Sequence, residues 1–107
     1  FEPRSNTAGT NVFQDRFADS LAVADLVLLG AVHRGDKIPP AERINTEAMV
    51  LRIKAAGKEA FAFRENQKLA DLLESKAFEQ KPVLLVFFSN GSFDGVIDRV
   101  SNFMANE

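Results

Sequence analysis

Two uninterrupted apolar runs, "LVLLGAV" (26–32) and "VLLVFF" (83–88), set the strongest limit on how this chain folds. A strand that is apolar at successive positions must be covered on both faces, the condition of a parallel sheet flanked by helices. "EAFAF" (59–63) is a third strand candidate. Helical patterns lie between. In "VFQDRFADSLAVAD" the residues Phe13, Phe17, Leu21 and Ala24 recur at steps of four, four and three, and Asn11 with Gln14 has capping-box spacing. "TEAMVLRIKAAG" follows Asn45 as N-cap, with Ile44 and Met49 spaced as a hydrophobic staple and Gly57 as the residue after the cap. "NQKLADLLESKAF" sets Leu69, Leu72, Leu73 and Ala77 on one side. After Ser92, the spacing of Phe93, Val96, Ile97 and Val100 is helical, so "SNGS" (89–92) leads from a strand into a helix rather than round a hairpin.

Strand and helix therefore alternate. That order predicts a three-layer, Rossmann-like α/β domain with a mainly parallel sheet, right-handed crossovers and helices on both faces. The simplest strand order is 4-1-2-3, with a truncated first strand at the centre, because only Phe1 and Glu2 precede Pro3. With no initiating Met either, the chain reads as part of a longer one.

At 107 residues the chain supports a single domain, 1–107. Ten Phe without Trp or Tyr point to aromatic side chains used for core filling. A net charge of −2 and no long Lys/Arg run argue against a nucleic-acid partner. The absence of cysteine excludes disulfides, a thiolate nucleophile and zinc–thiolate sites. No apolar run approaches the ~20 residues of a membrane span. No secretory signal is evident, which suits a cytoplasmic protein and discounts "NGS" as a glycosylation sequon.

Ligands of open α/β sheets bind beyond the carboxyl ends of the strands. Four segments should meet there: "PRSNTAGTN" (3–11), "HRGDKIPPAERIN" (33–45), "RENQ" (64–67) and "SNGS". Arg4 with Asn6 and Thr7 can clamp a carboxylate, or form a solvated turn. Ser92 can open an anion-binding helix N-terminus, although capping alone accounts for such a residue more often. His33, without an evident carboxylate partner, reads as a surface or packing residue before it reads as a substrate contact. Asp94 and Asp98, four apart, read as a solvated helix face. No GxxxxGK[ST] loop, GxGxxG fingerprint or metal-spaced cluster is present, so no nucleotide or metal device lies within the chain.

"FEPRSNT", "FQDRFADSLAVAD", "AVHRGDKIP" and "SNGSFDG" together resemble the C-terminal domain of the Mur ligases, most closely the murein peptide ligases, over residues 1–104. The resemblance implies a Rossmann-like domain of an ATP-dependent amide ligase. Its N-terminal domain would bind UDP-N-acetylmuramate and its central domain ATP and Mg²⁺. ATP would convert the muramoyl carboxylate to an acyl phosphate, which the amine of L-Ala-γ-D-Glu-meso-diaminopimelate would attack, in cell-wall recycling. This domain would bind the incoming peptide, with no catalytic residue or metal ligand of its own. By motif match, the substrate-binding residues are Arg4, Asn6, Thr7, Arg34, Lys37, Ser89, Asn90 and Ser92. Relatives usually carry basic residues soon after "SNT", where this chain has "AGTN". The alternative is a non-catalytic α/β module that binds a small anion or a protein partner. A nucleotide-binding Rossmann domain is a weaker third reading.

Overall fold

A computed structural model describes residues 1–4, 9–33, 35–77, 79 and 83–106. The elements are α1 (Gln14–Leu21), β1 (Leu26–Leu29), α2 (Thr46–Ala55), β2 (Glu59–Ala62), α3 (Asn66–Ala77) and α4 (Val96–Ala105), with a 3-10 turn at Gly35–Lys37. β1 and β2 pair in parallel, from Leu26 opposite Glu59 to Leu29 opposite Ala62, with α2 in the crossover between them. The expected α/β class is thus present, with four helices and a two-stranded parallel sheet among the described residues.

The pairing extends beyond the assigned strands. The Phe1 amine donates to Leu28 O, and Gly30 N donates to Phe1 O, both in the slanted pattern of a parallel ladder. On the other side of the segment, Glu2 N donates to Phe88 O. Residues 83–88, expected as a strand, are not assigned as one. Their neighbour is too short to carry a ladder, and Pro3 has no N–H to give it. Exposure still alternates there. Leu85 and Phe87 pack inward, while Leu84 (86 %), Val86 (59 %) and Phe88 (55 %) face out.

Two apolar clusters share β1. Val27 and Leu29 join Ala18, Ile44, Met49, Ile53 and Ala60, whereas Leu28 packs against the cluster of Leu69, Leu73, Phe93, Val96 and Val100. Alternate β1 side chains thereby serve opposite faces, as the unbroken apolar run requires.

Local signals held for α2. Asn45 Oδ1 accepts from Ala48 N at 3.0 Å, and Ile44 and Met49 are both buried. Gly57 (φ 87°) closes the helix: its N–H reaches Lys54 O, and Lys58 N reaches Ile53 O, a Schellman pair. They failed for α1, whose N-cap is Phe13 with no side-chain bond. Instead of forming a capping box, Asn11 Nδ2 donates to Ala41 O and Gln14 Oε1 accepts from Asn45 N. Bonds to the loop before α2 displaced the local ones. α4 likewise starts at Val96 behind Gly95, so Ser92 does not cap it and Asp94 shares no helix face with Asp98.

In the 107-residue chain, where Phe1 carries a free amine, burial desolvates that group and pushes it down from 8.0 to about 6, a shift that the Glu2 carboxylate only partly opposes. The unfolded chain then binds more protons than the folded one between these values, so stability rises with pH across the window. At ~1.4 kcal/mol per unit, the gain from pH 6 to pH 8 is about 2–3 kcal/mol, read as a higher urea midpoint. Equal midpoints would contradict it.

Candidate functional site

The described parts of the four predicted loops do not contribute equally. The site centres on Glu2 and Arg4, on His33 beyond β1, on Asn66 at the start of α3, and on Ser89–Asp94 ahead of α4. Each is held by the backbone that precedes it. His33 N donates to Pro3 O at 2.9 Å, which ties the loop after β1 to the first segment.

Glu2 is 2 % exposed and Asn66 5 %. The Asn66 carboxamide joins three segments: Oδ1 accepts from Ala31 N at 2.8 Å, while Nδ2 donates to Asp94 Oδ2 at 2.7 Å and to Glu2 Oε2 at 3.4 Å. A helix-start asparagine usually caps its own first turn; this one is turned into the sheet instead. Ser89 Oγ donates to Glu2 Oε1 at 2.5 Å and accepts from Gly91 N at 3.1 Å.

Arg4 lies over this network. Its Nη1 donates to His33 Nδ1 at 3.2 Å and stands 3.9 Å from Glu2 Oε1. Arginine only donates, so His33 Nδ1 carries a lone pair and the ring proton sits on Nε2. The guanidinium rests on Gly91 so closely that a Cβ there would overlap Arg4 Nε and Cζ. Gly30 is equally confined: a Cβ would lie 2.7 Å from Phe93 Cε1 and 2.8 Å from Asn66 Oδ1.

The last loop reaches α4 through three left-handed residues, Phe93 (φ 57°), Asp94 (φ 54°) and Gly95 (φ 78°). For the two non-glycines this costs roughly 1–2 kcal/mol each. Burial of the Phe93 ring offsets the cost, as do the bonds from Asn66 to the Asp94 carboxylate and from Gln67 Nε2 to Asp94 O at 3.0 Å. Behind the loop, Arg99 clamps α4 to α3 through Asp71 and Glu74 at 2.6 and 2.9 Å, and these carboxylates hold its guanidinium above its usual pKa.

Of the residues expected to bind substrate, Arg4 and Ser89 come together, with Asn90 exposed beside them. Ser92 is exposed, and its carbonyl accepts from Gly95 N. Lys37 is exposed at the end of the 3-10 turn. Asn6, Thr7 and Arg34 lie outside the described residues. Sequence reasoning missed Glu2 and Asn66, and it ranked His33 as a surface or packing residue. The only available signal was a charged residue inside an otherwise central strand remnant.

Among the described residues, no cluster of His, Asp or Glu could hold a metal, and no helix is long and apolar enough to cross a membrane. An open cleft of about 620 Å³ lies between the N-terminus of α1 and the loop before α2, lined by none of these site residues. It is lined by Gln14, Arg16, Arg43 and Asn45 among others. Chemically, the site offers a guanidinium held in place above a buried carboxylate, an arrangement suited to binding an anionic group. Compared with family models, with curated proteins and with solved structures, the chain matches none of them.

Replacing Asn66 by Ala leaves Ala31 N–H, Glu2 Oε2 and Asp94 without their shared partner. The expected loss is about 2–4 kcal/mol in urea unfolding, against under about 1 kcal/mol for exposed Gln67→Ala. Equal losses would show that the network is not what holds these segments.

Proposed function

We propose that this chain is the C-terminal, peptide-binding domain of a Mur-type ATP-dependent amide ligase, closest to the murein peptide ligases. The observation that carries the reading is the seating of Arg4, from "FEPRSNT", on Gly91, from "SNGSFDG". Two of the four stretches that bear the resemblance, 1–7 and 89–95, lie far apart in sequence and meet in space. The bonds of residues 1–3 to β1 on one side and to Phe88 on the other support strand order 4-1-2-3. Clusters on both sides of β1 support a three-layer, Rossmann-like arrangement.

In this reading Arg4 pairs its planar fork with a carboxylate of L-Ala-γ-D-Glu-meso-diaminopimelate, and the exposed Asn90 and Ser92 line the approach. Held this way, the peptide amine is presented to the activated carboxylate of UDP-N-acetylmuramate. The described residues do not suit Mg²⁺ or nucleotide, since they offer no metal cluster, and the sequence has no phosphate loop. In this reading ATP and Mg²⁺ are held by the central domain of a longer cytoplasmic enzyme that acts in wall recycling, as the resemblance implies.

The 107-residue chain should bind the tripeptide in calorimetry, and Arg4→Ala should weaken binding at least about tenfold, the loss of one charge-assisted pair. An unchanged affinity would remove Arg4 from the site. The same chain should show no ATP turnover, whereas a full-length protein that contains it should couple tripeptide to UDP-N-acetylmuramate. Hydrolysis of ATP by the isolated chain would contradict the division of labour.

A further inference from the structure

Glu2 has no part in the guest contacts proposed above, yet it is the one ionisable side chain among the described residues that is fully buried. Such a group persists where every oxygen faces a donor. Here Oε1 takes the Ser89 hydroxyl at 2.5 Å and stands 3.9 Å from Arg4 Nη1, while Oε2 faces Asn66 Nδ2 at 3.4 Å. Only an acceptor at both positions suits this set. A glutamine with its oxygen toward Ser89 would turn its NH₂ toward the Asn66 NH₂. With its oxygen toward Asn66, it would turn the NH₂ toward the Arg4 guanidinium.

We propose that Glu2 is a positioning residue: its carboxylate holds the Arg4 guanidinium and the Ser89–Gly91 turn in the arrangement that receives a guest carboxylate. The link to a guest rests on the function proposed above, while the effect on Arg4 does not. Glu2 acts from below. Ser89, fixed by Glu2, accepts from Gly91 N, and Gly91 is the floor on which the guanidinium lies. His33 Nδ1 bounds Arg4 on another side. An arginine restrained in this way loses less freedom when a guest binds than one waving in solvent, which favours affinity. It also follows that the Ser89 hydroxyl proton is committed to Glu2, so Ser89 serves as a strut rather than as a donor to the guest.

The test uses Glu2→Gln in the 107-residue chain, with the amide spectrum confirming the fold. Expected are at least tenfold faster hydrogen exchange at Arg4 Nε–H, a shift of the His33 ring nitrogens as their partner moves, and about tenfold weaker tripeptide binding. A purely structural role would lower the melting temperature and leave Arg4 exchange in the folded chain unchanged; that result overturns the proposal. Ser89→Ala, a change at the rim, should speed Arg4 exchange in the same direction by a smaller factor. It decides the matter alone if Glu2→Gln does not fold. Faster exchange with unaltered tripeptide affinity would also overturn the role assigned to Glu2. If the unsubstituted chain binds no tripeptide, the ligase reading fails, and Arg4 exchange still judges Glu2.

Discussion

The arrangement depends on the insertion of residues 1–3 between β1 and the segment ending at Phe88. Four backbone bonds hold it: from the Phe1 amine to Leu28, from Gly30 to Phe1, from His33 to Pro3, and from Glu2 to Phe88. Backbone groups at this depth have no water to turn to, so the segment is held on both sides or not at all. Once it is in place, the side chain of Glu2 enters the interior and that of Arg4 emerges over Gly91. Position within the sheet, more than any local preference, decides which of these two neighbouring charged residues is buried and which is available.

The second apolar cluster completes the site from below. Phe93 is buried against Gly30, and Val96 and Val100 bring α4 onto α3. The polar network of Glu2, Asn66 and Asp94 thus sits directly above packed hydrocarbon, where its bonds are poorly screened and an unmade one is expensive. Polar specificity at the rim and apolar packing underneath are parts of one construction. Gly30 is the hinge of the two, since it touches both the Phe93 ring and the Asn66 carboxamide.

Much of this was legible in the sequence where the deciding interactions are local. The periodicity of α2, its Asn45 cap and its Gly57 terminator involve residues within a few positions of one another. The continuous apolar run at 26–32 foretold that β1 would serve two faces. Long-range bonds defeated the same reasoning elsewhere. Asn11 and Gln14 have capping-box spacing but are taken by Ala41 and Asn45. Ser92 resembles a cap, but the chain needs three more residues to turn before α4 begins. Asn66 sits at the first position of its helix, and nothing nearby in sequence reveals that its amide points into the sheet. That Arg4 and the "SNGS" stretch would meet was expected from the convergence of loops and from motif resemblance, since periodicity says nothing of contacts between distant segments.

The left-handed turn at Phe93–Gly95 has a consequence for the order in which the molecule assembles. Local bonds from Gly95 N to Ser92 O and from Val96 N to Phe93 O close that turn, but they neither bury the Phe93 ring nor bind the Asp94 carboxylate. Its compensation comes from Gly30 and Asn66, both far away in sequence. Loop closure must therefore precede the reward. α4 is consequently a late arrival on the folding path, and the rim where Arg4 lies on Gly91 is complete only when α4 has docked.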